Sequence, residues 1–70
     1  MRLKVQEYRI LRRMTIRELA KRAGVAKSSI EVMESALPNP TLQTLYSVAK
    51  ALNVRIQDLI EYEDGDEEPA

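Results

Sequence analysis

The spacing of apolar residues along the chain predicts a series of short helices. One apolar stripe, with intervals of three and four residues, consists of Ile16, Leu19, Ala20 and Ala23. This spacing places all four side chains on one face of a helix. A second stripe with the same period is formed by Leu42, Leu45, Ala49 and Leu52. Because every ordered segment has a helical pattern, we expect an all-α fold without strands.

Residues that start and stop helices separate these stripes. Thr15 and Glu18 form a T-x-x-E capping box at the start of the second helix, and Gly24 suits a left-handed turn at its end. Pro38 and Pro40 exclude a helix from the segment that contains them. The five predicted helices span about residues 2–13, 15–23, 27–35, 41–52 and 56–61.

Together the helices predict one compact domain over residues 1–61. We expect its core to contain Leu19, Ala20, Val25, Ile30, Met33, Leu45, Ala49, Leu52 and Leu59. Residues 62–70 form an acidic segment that carries Gly and Pro and has no apolar group to anchor it after Tyr62. We therefore expect residues 62–70 to be a disordered acidic tail.

The composition excludes several classes of function. The chain contains no Cys and no His, which removes disulfides, thiolate zinc sites and imidazole acid–base catalysis. The tyrosines, serines and carboxylates form no catalytic triad, metal set or phosphate loop at the spacing that such sites need. We therefore expect no enzyme, no metal and no cofactor. No apolar run reaches the roughly 18 residues of a membrane span, so we expect a soluble, cytoplasmic protein.

The formal net charge is zero, yet the charges are distributed unevenly. Residues 1–27 carry nine Lys and Arg against two Glu, whereas residues 28–70 carry two cations against nine acidic residues. Such asymmetry is typical of a chain that contacts a polyanion at one end and has an acidic tail at the other. A solvated helix face is the alternative interpretation.

Residues 15–35 combine two short helices with a glycine-containing turn, which is the pattern of a helix-turn-helix. Ala20 is small where the two helices cross, Gly24 makes the turn, and Val25 fills the angle between the helices. Ile30 then anchors the second of the two helices, so that its outer face can enter the major groove of DNA. The free N–H groups behind Thr15, at the start of the first of these helices, suit a phosphate.

Four segments in this order resemble the Cro and lambda-repressor-like helix-turn-helix family, also called the XRE family. The segments are MTIRELAKRAGV, SSIEVME, NPTLQTLYSVAKAL and NVRIQDLI, and the resemblance extends from about residue 3 to residue 60. It implies a compact five-helix, lambda-repressor-like domain that binds DNA and regulates transcription.

The resemblance also implies roles for residues of the third helix. In this family that helix reads bases from its start and from one turn later, and those positions are here Lys27, Ser28, Ser29 and Val32. Lys27 suits the acceptors of guanine, and Val32 suits a thymine methyl group. The alternative is that Val32 is only a surface residue and that the serines only make the helix polar.

Further positions match the contacts that related repressors make with the DNA backbone. Arg9 and Glu34 stand where those proteins hold an internal ion pair, and the Arg9 guanidinium can still offer N–H groups to a phosphate. An exposed pair that contributes little stability is the alternative. The complete set of expected phosphate contacts is Arg9, Thr15, Arg17, Asn39 and Thr41.

Three positions depart from the family pattern and reduce the expected affinity for DNA. Ile16 replaces a Gln that clamps a phosphate, and Ala26 replaces the Ser that caps the third helix, at a cost of about 1 kcal/mol. Ala36 replaces the Gly that follows this helix. Fewer phosphate contacts weaken binding and flatten its salt dependence.

The favoured function is sequence-specific binding of a duplex DNA operator, as a homodimer that regulates transcription, with repression as the favoured direction. The fifth helix and its flanks contain more apolar side chains than one short helix can bury. The expected dimer contacts are therefore Val54, Ile56, Leu59, Ile60 and Tyr62. The surface of the first helix around Ile10 and Leu11 is the alternative interface.

A protein-interaction module is the alternative function. In that interpretation the helix-turn-helix fold keeps its shape, its DNA-binding face is weakened, and an apolar surface binds another protein. The departures at Ile16, Ala26 and Ala36 favour it, as do the two neighbouring apolar residues Ile10 and Leu11.

Overall fold

A computed structural model describes residues 2–61, which fold into five helices. The helices are α1 (Val5–Leu11), α2 (Ile16–Ala23), α3 (Lys27–Met33), α4 (Leu42–Leu52) and α5 (Ile56–Leu59). The prediction of a compact five-helix fold is confirmed. The tail predicted for residues 62–70 lies outside the described residues.

The expectation of a fold without strands is wrong. Two short strands, β1 (Arg2–Leu3) and β2 (Ile60–Glu61), pair antiparallel, with Arg2 opposite Glu61 and Leu3 opposite Ile60. The backbone N–H of Lys4 extends this pairing by donating to the carbonyl of Leu59 over 2.7 Å. A two-residue strand leaves no periodic signal in a sequence, because its partner lies almost 60 residues away. The predicted first and fifth helices are correspondingly shorter in the structure.

An ion-pair network connects the same two ends of the described chain that β1 and β2 pair. The Nη2 atom of Arg2 donates to Oε2 of Glu7 over 2.7 Å and to Oε2 of Glu61 over 2.8 Å. These two carboxylates raise the pKa of Arg2, through the hydrogen bond to Glu61 first and the one to Glu7 second. Since all three side chains are exposed, we regard the network as a positioning contact rather than a large source of stability.

The core lies between α2, α3 and α4, and Val5 of α1 and Leu59 of α5 are buried in it. Its buried residues are Leu3, Val5, Leu19, Ala20, Ile30, Met33, Leu45, Val48, Ala49, Leu52 and Leu59. Eight of the nine residues predicted for the core belong to it, whereas Val25 is only partly buried. Leu42, predicted as part of the same stripe as Leu45, Ala49 and Leu52, is instead 73% exposed, since it is the first residue of α4 and only the later turns of the helix are buried.

None of the helices between residues 2 and 61 is long and apolar enough to cross a membrane.

Candidate nucleic-acid interface

The first helix of the helix-turn-helix, α2, is fixed at its start by hydrogen bonds between neighbours in sequence. The Thr15 hydroxyl accepts from the backbone N–H of Glu18 over 3.0 Å, and the Thr15 N–H donates to Oε1 of Glu18 over 2.9 Å. This is the capping box that the sequence predicts. The backbone hydrogen bond from Thr15 is the main cause of the lowered pKa of Glu18.

The turn that follows α2 orients the second helix of the motif. Gly24 has φ +71°, in the left-handed region that L residues rarely adopt. The chain then folds back, and the N–H of Val25 donates to the carbonyl of Ala20 over 3.0 Å. This bond satisfies a carbonyl that the end of α2 would otherwise leave free.

The start of α3 projects from the surface while its other side is anchored in the core. Ile30 and Met33 are almost completely buried, whereas Lys27 and Ser28 are exposed, Ser29 is half-buried and Val32 is 47% exposed. α3 has no side-chain cap, because Ala26 stands at its N-terminal boundary. The four predicted base-reading positions therefore have at least partial access to solvent.

Arg9 of α1 and Glu34, which ends α3, form a largely buried ion pair. Nε and Nη2 of Arg9 donate to the two oxygens of Glu34 over 2.7 and 3.1 Å, and Nη1 donates to the carbonyl of Met14 over 2.9 Å. The side chains are only 12% and 9% exposed. The hydrogen bond to Glu34 raises the pKa of Arg9, against the opposing effect of burial. Of the five N–H groups of the guanidinium, two are left by these contacts.

Cationic residues line an open depression beside the start of α3, which we call the basic hollow. Its volume is about 490 Å³, and its lining consists of Arg9, Thr15, Ile16, Arg17 and Lys27. Three of the predicted phosphate contacts and one predicted base-reading residue therefore share a single surface depression. Ile16 supplies the apolar part of its wall.

A second depression lies on the other side of the start of α3, and we call it the hydroxyl hollow. Its volume is about 310 Å³, and its lining consists of Ser28, Ser29, Val32, Met33, Asn39, Pro40, Thr41 and Thr44. It contains the other three predicted base-reading positions together with the two remaining predicted phosphate contacts. The structure thus arranges all nine predicted DNA-contacting residues in two hollows that flank α3.

Thr44 is a residue of this interface that the sequence analysis missed. The Thr41 hydroxyl accepts from the backbone N–H of Thr44 over 3.1 Å and donates its own proton to the Thr44 hydroxyl over 3.0 Å. Because one of the two hydroxyl protons is used in the bond between them, the other is left to donate to a further group. The sequence does contain a signal for this residue. The T-x-x-T spacing at the start of α4 places a second hydroxyl three residues after the capping Thr41, where the two can share a hydrogen-bond network.

The predicted dimer contacts are distributed differently from the expectation. Leu59 is completely buried in its own core and cannot contact a second copy, and Tyr62 lies outside the described residues. Ile60 is half-buried in β2. Val54 and Ile56 instead line a depression of about 460 Å³, which we call the apolar hollow. Its other lining residues are Tyr46, Ala49, Lys50, Asn53, Arg55 and Gln57.

Among residues 2–61, no group of acidic side chains is arranged to hold a metal ion. The two hollows beside α3 present cationic, hydroxyl and amide side chains, which are groups that contact the phosphates and sugars of DNA.

This geometry defines a helix-turn-helix domain, and comparison with known proteins places the chain in a family. A family model described as helix-turn-helix matches residues 5–59. The chain belongs to the XRE-type helix-turn-helix family, as the four sequence segments indicated. No solved structure matches the chain significantly.

Curated relatives are named as transcriptional regulators. An uncharacterized HTH-type transcriptional regulator of Archaeoglobus fulgidus is 39% identical over 64 residues, which cover 91% of this chain and 91% of the relative. Another from Methanocaldococcus jannaschii is 35% identical over 66 residues, which cover 94% of this chain and all of the relative. The HTH-type transcriptional regulator SinR of Bacillus subtilis is 36% identical over 59 residues, which cover 83% of this chain and 53% of SinR. These relatives support a DNA-binding regulator.

Proposed function

We propose that this chain is a sequence-specific duplex-DNA-binding repressor that places α3 in the major groove and acts in the cytoplasm as a homodimer. The observation that carries the proposal is the position of the start of α3 between the basic and hydroxyl hollows. A helix in the major groove lies between two phosphate backbones, so donors are needed on both of its sides. The proposal assigns no catalytic residue, cofactor or metal to the chain.

The basic hollow suits one of these backbones. The two N–H groups that Arg9 has left beyond Glu34 and Met14 are held in place by the buried ion pair, so they bind a phosphate with little further loss of freedom. Arg17 lines the same hollow and can supply a positive charge there, where Ile16 replaces the phosphate-clamping Gln of the family. The free N–H groups at the start of α2 complete this side.

The hydroxyl hollow suits the opposite backbone by neutral hydrogen bonds. Thr44 can donate its hydroxyl proton, and Asn39 can donate from its side-chain amide. Because these donors carry no charge, fewer counterions are released on this side than on the side of Arg9 and Arg17. We expect a modest salt dependence of DNA binding for a regulator of this family.

Base reading is tested by comparing two variants on a site selected from random duplexes. Lys27→Ala removes a proposed base contact and is expected to cost about 1–3 kcal/mol on the preferred site and to relax specificity at one base position. Arg17→Ala removes a phosphate contact, so it should weaken binding to all sequences alike and reduce the salt slope by about one.

A third variant controls for the loss of one positive charge. Lys21 is exposed on α2 and lines neither of the two hollows. Lys21→Ala should therefore change affinity much less than Arg17→Ala. If Lys27→Ala weakened every sequence equally, Lys27 would be a phosphate contact. If none of the variants changed affinity, the DNA-binding proposal would be rejected.

The proposed dimer contact is the apolar hollow. Two recognition helices must be about 34 Å apart to enter successive major grooves, so a symmetric contact away from α3 is required. Tyr46 is 55% exposed at the edge of this hollow, which also contains Val54 and Ile56. In a twofold arrangement the ring of one copy can occupy the hollow of the other.

Sedimentation of the full chain tests this contact. Tyr46→Arg inserts a charge at the hollow and should convert the dimer to a monomer, whereas Leu42→Arg serves as the control on the same helix. Leu42 is more exposed than Tyr46 but does not line the hollow. Equal effects of the two variants would contradict the proposed contact.

The exposure of Ile10 and Leu11, at 59% and 67%, favours a protein-interaction module as the second candidate function. Retention on heparin or on nonspecific duplex at low salt distinguishes the two. A DNA-binding protein is retained and elutes as salt rises, because the contact depends on phosphate neutralisation. A pure interaction module passes through.

A further inference from the structure

One carboxylate between residues 2 and 61 has no partner within that range. These residues include six acidic side chains, and five of them accept a hydrogen bond from another residue. The five are Glu7, Glu18, Glu34, Asp58 and Glu61. The sixth, Glu31, is exposed on α3 and forms neither a hydrogen bond nor an ion pair with the described part of the chain. Its oxygens are therefore open to water or to a ligand.

The period of α3 places Glu31 on the exposed side of the helix, between two of the proposed base-reading residues. Ile30 and Met33 occupy the opposite side, in the core. With about 3.6 residues per turn, Glu31 lies about 40° around the helix axis from Lys27 and about 60° from Ser28. Helical side chains lean towards the N-terminus, so Glu31 covers the surface between Lys27 and Ser28. The surface that we propose enters the major groove thus contains a carboxylate.

Lys27 does not neutralise this carboxylate. The two residues are four positions apart on one helix, a spacing at which opposite charges can pair. No ion pair joins them in the structure, and Lys27 instead lines the basic hollow. The start of α3 therefore presents a cationic donor and an anionic acceptor next to each other.

The chemistry of a carboxylate limits what it can contact on DNA. An ionised carboxylate only accepts hydrogen bonds, whereas the phosphates of the backbone are themselves anionic acceptors. The donors in the major groove are the exocyclic amines of cytosine and adenine. In adenine the amine lies beside the acceptor N7, which repels the second carboxylate oxygen, and in cytosine it lies beside a C–H group. Cytosine is therefore the base that suits Glu31.

We propose that Glu31 is a specificity-determining residue, whose carboxylate accepts a hydrogen bond from the exocyclic amine of a cytosine in the operator. This inference rests on the proposed function and names a base that it selects. Since Lys27 suits the acceptors of guanine, the start of α3 selects G·C pairs through a donor and an acceptor. The charge of Glu31 also repels the phosphates of any duplex, which disfavours DNA that lacks the cytosine.

Selection from random duplexes tests the base preference. The unaltered chain should enrich cytosine at one position of each half-site. Glu31→Gln can both donate and accept, so it should change the preference at this position to adenine. Glu7→Gln is the matched control, because it removes one negative charge from α1 and lines none of the three hollows. It should select the same site as the unaltered chain.

A binding cycle on the selected site isolates the contact. Replacing the C·G pair by T·A exchanges the amine for an acceptor oxygen, so the unaltered chain should bind roughly tenfold more weakly. Glu31→Ala has no carboxylate, and the loss that remains in this variant measures all other contacts with the changed pair. This remaining loss should be much smaller. Glu31→Ala should also bind a nonspecific duplex more tightly than the unaltered chain does.

The outcomes separate this inference from the proposed function. An unchanged base preference in Glu31→Gln, or an equal loss for Glu31→Ala and the unaltered chain on T·A, would overturn the role of Glu31 alone. An adenine preference of the unaltered chain at this position would also overturn it. If the unaltered chain enriched no sequence at all, the proposed DNA-binding function would be rejected, and the role of Glu31 with it.

Discussion

The two helices of the helix-turn-helix are stabilised in different ways. α2 is specified by its own sequence at both ends, through the Thr15–Glu18 capping box and the left-handed Gly24. α3 has Ala26 at its start, without a side-chain hydrogen bond, and no basic residue in its last turn. Short isolated helices are marginal in water, so α3 depends on its tertiary contacts far more than α2 does.

Those contacts come from distant parts of the chain. Ile30 and Met33 anchor α3 in the core, and the Arg9–Glu34 ion pair connects its end to α1. The scaffold helix is therefore determined locally, while the helix that we propose reads DNA is positioned by the rest of the fold. A substitution outside α3 can consequently alter the recognition surface without touching it.

The largest expected effect follows from breaking the tertiary support of α3. Glu34→Ala leaves the Arg9 guanidinium largely buried and without its carboxylate, and it should lower the free energy of unfolding by about 3–5 kcal/mol. Urea unfolding monitored by circular dichroism measures this. Glu31→Ala is the matched control, because Glu31 is exposed on the same helix and should change stability by less than about 0.5 kcal/mol. Similar losses for both variants would contradict the role assigned to the ion pair.

The next effect concerns the turn that joins the two helices. Gly24→Ala should destabilise the domain by roughly 1–2 kcal/mol, because an L residue is strained at φ +71°. A Cβ at this position would meet no atom within 4 Å, so crowding adds nothing. Gly24→Asn should cost less, since Asn tolerates the left-handed conformation better. If thermal unfolding showed Gly24→Asn to be less stable than Gly24→Ala, the loss of stability would not come from the left-handed backbone conformation.

A smaller effect, in this case a gain in stability, should follow when α3 is given a side-chain cap like the one at the start of α2. Ala26 has extended backbone angles, φ −70° and ψ 148°, which suit a capping residue. Ala26→Ser should stabilise the domain by about 1 kcal/mol, and Thr15→Ala should remove about the same amount at α2. Hydrogen exchange of the α3 amides should slow in Ala26→Ser. Unchanged exchange would mean that tertiary packing alone determines the stability of α3.

The smallest effect is a pH dependence at the start of α2. The Thr15 backbone N–H lowers the pKa of the Glu18 carboxyl in the folded state. The box therefore contributes stability above the unfolded pKa of Glu18, and the contribution is lost as the pH falls through the lower folded pKa. Glu18→Gln keeps an acceptor but cannot titrate, so its stability should fall less on acidification. If the free energy of unfolding changed with pH in the same way for the unaltered chain and for Glu18→Gln, this linkage would be contradicted.

Local signals made most of the fold predictable. The starts of α2 and α4, the turn at Gly24 and eight of the predicted core residues follow from capping patterns and helical periodicity. The site residues were named individually, but their arrangement in two hollows on either side of α3 was not predictable from the sequence. That arrangement depends on how the helices that carry these residues pack against one another.

Other features had no local signal at all. The pairing of β1 with β2 joins residues at opposite ends of the described chain, and two residues are too few for a recognisable strand pattern. Leu59 was expected in the dimer contact but is buried within its own domain, and Leu42 was expected to be buried but is exposed. Both residues have the correct period for a buried face. Only the positions of the neighbouring helices decide whether that face is covered.

The sequence by itself therefore determined the helices, their order and the family. A cap, a left-handed turn residue and a three-to-four-residue period act within a few residues of where they occur. The tertiary structure alone decided which side of each helix is covered, that Leu42 is exposed, and that Val25 is only partly buried. These properties are set by contacts between residues far apart in the chain, and the energy of such contacts exists only once the helices have packed.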